Sequence, residues 1–240
     1  MRWLYAFILL NLCLKASAQD TVYLSSELYI VQLSKSAYVH VSFHTDPKWG
    51  RFSSNGMVYV DMEKGHAYLF DTPMDDSLTK ALVNWIKNKQ HWKLKMFCPN
   101  HFHEDCTTEL NLNEGSEMIT LLHAKTAQLL AIDSTNIDFQ CFTSHYNHLK
   151  HFEVYYLGEA HTSDNIVVWF PKENILFGGC MVKSMQSKSL GNTTDANLEA
   201  WPKTIQKVKS KFKEAELVIP GHGPWGTSQL LDHTLKLLKE

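Results

Sequence analysis

His101, His103 and Asp105 stand at alternate positions in Asn100-His101-Phe102-His103-Glu104-Asp105-Cys106, just after a short apolar run and Pro99. Extended backbone at a strand end points alternate side chains the same way, so the three should converge on one small volume. Neutral imidazole nitrogens and a carboxylate oxygen suit zinc. An H-x-H pair alone arises by chance on many surfaces; H-x-H-x-D at a strand end is more specific. Three further residues share this placement. His161 lies in Gly158-Glu159-Ala160-His161-Thr162, Cys180 follows Gly178-Gly179, and His222 lies in Pro220-Gly221-His222-Gly223. Each sits in a loop past a predicted strand, and neighbouring glycines permit close backbone approach. Any one of them alone reads as a hydrogen-bonded loop histidine or a buried thiol. Six in equivalent places read as a metal site. Its chemistry would be water activation, because zinc lowers the pKa of bound water to about 7.

The elements that must hold these residues follow from periodicity. Val39, Val41 and Phe43 alternate with His40 and Ser42. Met57–Val60 and Ala67–Phe70 flank a turn at Glu63-Lys64-Gly65. A helix capped by Asp75 or Asp76 should place Leu78, Leu82, Trp85 and Ile86 on one face. Leu94–Cys98 is a short strand ended by Pro99, and Leu121–Ile132 is expected to be helical. Short strands follow at Val154–Leu157, Ile166–Phe170, Ile175–Phe177 and Leu217–Ile219. Leu198, Trp201, Ile205, Val208 and Phe212 have helical spacing over 197–212, and a last helix starts near Thr227 or Ser228. Two strand-rich halves that each end in helices predict layered sheets with helices outside.

With 240 residues, no repeat and no linker-like stretch, the chain reads as one globular domain. A net charge of −2 leaves no footprint for nucleic acid and no polybasic membrane signal. Residues 1–18 read as a secretory signal: Arg2, an apolar Leu4–Leu14 broken only by Asn11, and Ala16-Ser17-Ala18 before Gln19. That run is too short to span a bilayer. The expected domain is therefore 19–240, exported to the periplasm. Cleavage removes Cys13 and leaves Cys98, Cys106, Cys141 and Cys180. Four cysteines in an exported protein admit two disulfides. A chain of this size does not need them, and the setting of Cys180 suggests a ligand instead.

The set as a whole resembles the class B metallo-β-lactamases, in the subclass with a His-His-His first site and an Asp-Cys-His second site. The likeness is strongest from Tyr155 to Trp225, through YYLGEAHTSDNIVVWFPKENILFGGCMVKS, LGN and VIPGHG, and extends to Asn55-Gly56-Met57 and Phe70-Asp71-Thr72-Pro73. The resemblance implies an α/β fold, a four-layer αβ/βα sandwich, with the site in a groove at one edge of two sheets. It implies two zinc ions per chain, the first on His101, His103 and His161, the second on Asp105, Cys180 and His222. It implies hydrolysis of the β-lactam amide of penicillins, cephalosporins and carbapenems by a zinc-bound hydroxide. Asp105 would orient that nucleophile and relay a proton. Lys183 would hold the substrate carboxylate, and Asn192 would sit by the lactam carbonyl. Residues 44–54 would form a flap, with Trp49 over the substrate. The expected partner is a small β-lactam, with no nucleic acid and no membrane anchor, bound by a monomer.

Two departures and two rivals accompany this reading. Thr107-Thr108 replace the family's Gly-Gly after the aspartate, which predicts a shifted turn and a displaced Asp105. Cys106 stands where many members have arginine, and a thiol there is open to oxidation. One rival is a thioesterase or lactonase of the same superfamily, which resembles H-x-H-x-D-H; here Cys106 takes the last place. The other is a non-catalytic periplasmic zinc-binding protein, which would need closed coordination.

Overall fold

The computed structural model describes residues 20–108, 118–132 and 139–240. The candidate export signal at 1–18 lies outside the described residues. Among them, thirteen strands form two sheets. The first runs in the order β1 (Thr21–Tyr23), β2 (Leu28–Gln32), β3 (Ala37–Asp46), β4 (Gly50–Asp61), β5 (His66–Phe70), β6 (Lys93–Cys98), β7 (Ile119–His123) and β8 (Phe139–Phe142). The second contains β9 (His145–His148), β10 (Phe152–Tyr155), β11 (Val167–Phe170), β12 (Ile175–Gly179) and β13 (Leu217–Pro220), in the reverse spatial order. Pairing is antiparallel through β1–β5 and parallel through β5–β8; β12 and β13 are parallel.

Alternation along the central strands makes the layers. On β4 and β5, Met57, Tyr59, Tyr68 and Phe70 face the second sheet, while Val58, Val60, Ala67 and Leu69 face outward. The inward set meets Phe152, Val154, Phe170 and Phe177 across the sandwich. Aromatic pairs seam it: Tyr59 stacks on Phe170 at 5.1 Å, and Phe70 meets Phe152 edge-on at 5.0 Å. The outward set packs on α1 (Asp76–Asn84) and the π-helical turn Trp85–Lys89 that continues it. On the far side, Val167, Leu176 and Val218 pack on Trp201, Ile205 and Val208 of α4 (Trp201–Lys211) and Leu230 and Leu231 of α5 (Gln229–Leu237). This is the expected αβ/βα order of four layers. Burying one of the core phenylalanines stabilises the fold by about 2–3 kcal/mol relative to exposure.

Three elements depart from expectation. Residues 121–123 continue β7, and only α3 (Ala124–Leu129) is helical. Leu121 faces the inner core, so the apolar run is a buried strand rather than a helix face. Helix α4 starts at Trp201, not 197. Asn197 accepts from Ala200 N and Trp201 N, forming a turn before Pro202, whose fixed φ opens the helix, and Leu198 stays exposed. Residues 44–54 are largely strand: β3 and β4 pair out to Asp46 and Gly50, so the expected flap is a hairpin with its turn at 47–49. The Asp75 cap is as expected, accepting from Ser77 N and Leu78 N.

Candidate metal centre

The C-terminal ends of β6, β10, β12 and β13 lie at one edge of the sandwich, and their loops carry His101 and His103, His161, Cys180 and His222 respectively. Backbone crosslinks hold that edge. Asn55 donates through N to Gly221 O at 2.8 Å and through Nδ2 to Pro220 O and Gly223 O at 2.8 and 2.7 Å, tying β4 to the His222 loop. Ile166 N donates to Asn100 O at 2.9 Å, joining the His101 and His161 loops. Glycine is required at Gly221 and Gly179. A Cβ on Gly221 would lie 2.3 Å from Cys180 Sγ, and one on Gly179, at φ +56°, would lie 2.2 Å from the Asn100 side chain.

Asp105 reaches the site by a route other than strand alternation. It lies on a short helix, α2 (Glu104–Thr107), so His101 and Asp105 meet as i and i+4, with Nε2 and Oδ1 3.6 Å apart. Thr107 and Thr108 do not displace it. Their hydroxyls donate back to His103 O and Glu104 O at 2.9 and 2.7 Å, and Thr108 keeps a negative φ. Through Thr108, the last described residue here, back-bonding closes the turn and Asp105 stays in contact with His222 and Cys180.

Two groups of donors result. His101 Nε2 and His103 Nδ1 are 3.0 Å apart, and His161 completes a triad whose donor atoms lie within 4.8 Å of one another. In the second group Asp105 Oδ2 lies 3.2 Å from His222 Nε2, and Cys180 Sγ lies 3.3 Å from each of them. Around a tetrahedral zinc, bond lengths require about 3.3 Å between two nitrogens or nitrogen and oxygen, and about 3.5 Å between sulfur and either. The donor set fits two zinc ions.

The other ring nitrogens explain the convergence. His222 Nδ1 donates to Ser53 O at 2.8 Å. His103 Nε2 donates to Asp195 Oδ2 at 2.9 Å, and His101 Nδ1 faces Cys106 Sγ at 3.1 Å. The carbonyl and carboxylate acceptors fix the His222 and His103 tautomers, each with its free lone pair facing the site. Charges agree. Burial would raise the Asp105 carboxyl, but His222 and His101 hold it well below the usual range. The Cys106 thiol contact, against burial, and the nearby His222 pull the Cys180 thiol well below its usual value. Burial, with His101 and Lys183 adding to it, keeps His161 neutral, as a ligand must be.

A groove of about 800 Å³ opens over these donors, with Trp49, Phe52, Asp105, Lys183, Asn192 and His222 in its wall. Trp49 is half exposed near the hairpin tip, with Lys48 Nζ 4.6 Å from its ring centroid. Lys183 is a buried part of the wall, its Nζ 5.3 Å from the Trp201 ring centroid, and burial lowers its pKa. Asn192 Oδ1 accepts from Thr194 N and Oγ1, which turns its Nδ2 end free to donate. Asp195 and the Cys106–His101 contact were not foreseen from sequence. Asp195 is a loop aspartate 92 residues from its partner, with no local signal. Among the described residues Cys98, Cys106, Cys141 and Cys180 are all free thiols, so the two-disulfide alternative does not apply.

Comparison with known proteins agrees with this geometry. No family model matches the chain. A type 2 metallo-β-lactamase of Bacteroides fragilis is 39% identical over 239 residues, covering 98% of this chain and 95% of that protein. One from Bacillus cereus is 37% identical, covering 88% and 82%. Among solved structures, a metallo-β-lactamase from Pontibacter korlensis superposes with a TM-score of 0.81 at 35% identity, covering 89% of this chain and all of that one. The metallo-β-lactamase FIM-1 of Pseudomonas aeruginosa, in its mono-zinc form, superposes with a TM-score of 0.77 at 26% identity, covering 89% and 95%.

Proposed function

The chain belongs to the metallo-β-lactamase family, and on that premise we infer how its residues open the amide bond of penicillins, cephalosporins and carbapenems. The protein is a zinc-dependent β-lactam hydrolase. The observation that carries the residue assignments is the convergence of six donors beside an open groove that His103, Asp105 and His222 line. His101, His103 and His161 hold one ion, and Asp105, Cys180 and His222 hold the other. Zinc bound there supplies a water acidic enough to attack an amide near neutral pH and a Lewis acid for the amide carbonyl.

The chain's own groups do the rest. Asp105, kept ionised by its histidine neighbours, orients the attacking water and takes its proton, then returns it toward the departing nitrogen. Lys183 pairs with the substrate carboxylate and sets its depth in the groove. Asn192 donates its Nδ2–H to the lactam oxygen as negative charge grows there. Trp49 and Phe52 cover apolar substituents and exclude water from one side of the bond. Phe52 also packs edge-on against His222 at 5.5 Å, so hairpin and ligand are in contact.

The sequence of residues 1–18 supports export to the periplasm, where a mature monomer of residues 19–240 would act and confer resistance. Among the described residues no helix is long and apolar enough to cross a membrane. The thioesterase and lactonase reading is not favoured, since Cys106 replaces the histidine of that pattern. The test is a substrate panel on the zinc-loaded protein: a chromogenic cephalosporin, a thioester and a lactone. Turnover of the cephalosporin is expected. Turnover of the thioester or lactone alone would move the chain to that branch, and turnover of none would favour a zinc-binding protein.

A further inference from the structure

We propose that Cys106 and Cys180 are a redox pair, and that a peroxide converts them to an intramolecular disulfide when the metal centre is empty. The proposal rests on the reading of Cys180 as a zinc ligand. Cys106 lies on α2 and Cys180 just past β12, both buried, at 1% and 2% exposure. Their sulfurs belong to one cluster, with His101 and Asp105, whose donor atoms lie within 4.8 Å of one another. A disulfide needs an S–S distance of about 2.05 Å. A cysteine moving between staggered rotamers shifts its sulfur by the order of the difference. Cys106 is not one of the six zinc donors inferred above and faces His101 Nδ1 at 3.1 Å, so it is available as a second thiol.

Burial selects the oxidant. The sulfurs are too enclosed for a bulky disulfide, but a small peroxide can enter through the groove. Asp105 and His222 line that groove, and each touches Cys180 Sγ at 3.3 Å. The Cys180 thiolate attacks the peroxide; the O–O bond breaks, a sulfenic acid forms, and the departing hydroxide or alkoxide takes up the proton the thiol had released, leaving as water or an alcohol. The Cys106 sulfur then attacks the sulfenic sulfur; the S–S bond forms, the S–O bond breaks and water leaves with the thiol proton. In sum the two thiols lose two protons and two electrons, and the peroxide is reduced to water or to water and an alcohol. Without Cys106 the sulfenic acid would advance to sulfinic acid, which is irreversible. Cys106 thus keeps the ligand recoverable. Because a zinc ligand must be a thiolate, metal and disulfide exclude each other.

The experiment treats zinc-loaded and metal-free mature protein with hydrogen peroxide and reads intact mass, free thiols and a non-reducing peptide map. The metal-free protein should lose two hydrogens and two thiols, yield a Cys106–Cys180 crosslinked peptide, and then rebind one zinc ion rather than two when zinc is added back. A phosphine reductant should restore both. The Cys106→Ser variant should instead gain two oxygens on Cys180 that the reductant does not remove. Sulfinic acid on Cys180 of the unmodified chain with Cys106 still reduced, or a crosslink through Cys98 or Cys141, would overturn the proposal. If the disulfide forms equally fast with zinc present, the pair stands and the ligand assignment of Cys180 fails. If zinc protects Cys180 but no crosslink forms, the ligand stands and the pair fails.

Discussion

Replacing Lys183 with alanine should raise KM about 10- to 150-fold for a carboxylate-bearing β-lactam while kcat changes little. The magnitude comes from one charge-assisted hydrogen bond, worth about 1.5–3 kcal/mol when its donor is shielded from water. Lys183 meets that condition. It is only 8% exposed, its backbone N–H is fixed by Thr234 Oγ1 at 2.8 Å, and its ammonium rests over the Trp201 ring. Of the groove's carboxylates, Asp105 is engaged by His222 at 3.2 Å. A carboxylate remote from the reacting bond is bound alike in ground and transition states, so its loss appears in KM. The assay is steady-state kinetics on a cephalosporin and its carboxyl methyl ester, with the unmodified chain and Lys183→Ala. The acid should suffer the full loss and the ester almost none. An unchanged KM for the acid, or an equal rise for both substrates, would refute the reasoning.

Three further outcomes follow from other contacts. Asp195→Ala removes the acceptor of His103 and should weaken zinc at the three-histidine group about 10- to 100-fold in a chelator competition, with Asp195→Asn milder; wild-type affinity in the alanine variant would remove Asp195 from the site. His40 is fully buried with its pKa lowered from 6.5 to about 4, chiefly by burial, so only the unfolded chain protonates it between those values. Stability from this group is intact above pH 6.5 and is lost as pH falls toward 4, by about 3 kcal/mol. Chemical denaturation across that range should show His40→Gln with a correspondingly shallower decline; identical slopes would contradict it. Gly221→Ala presses a methyl onto Cys180 and should cost about 1–3 kcal/mol and lower second-ion affinity, both absent if the loop can move aside without loss.

Much of the site was legible because its residue types carry chemistry and stand where strands end. Strand ends are marked by apolar alternation followed by proline or glycine, as at Cys98-Pro99 and Ile219-Pro220-Gly221. Asp105 was named for a partly wrong reason: alternation suffices for His101 and His103, but a helical turn delivers the carboxylate. Leu121-Leu122 was misread because a short doubly buried strand and a helix segment have the same apolar density. The threonine departure was misjudged because hydroxyl back-bonding depends on a helix that local sequence does not announce. Asp195 and the paired sulfurs of Cys106 and Cys180 arise from packing between distant segments.

The central claim is that two zinc ions on these six residues make the chain a β-lactam hydrolase. The most direct test strips the purified 19–240 protein of metal, then titrates zinc back while following metal content and hydrolysis of a chromogenic cephalosporin. Activity should vanish with the metal and return with it, with binding saturating at two equivalents per chain. Hydrolysis that survives exhaustive metal removal, or a fully zinc-loaded protein that leaves the cephalosporin intact, would contradict the claim.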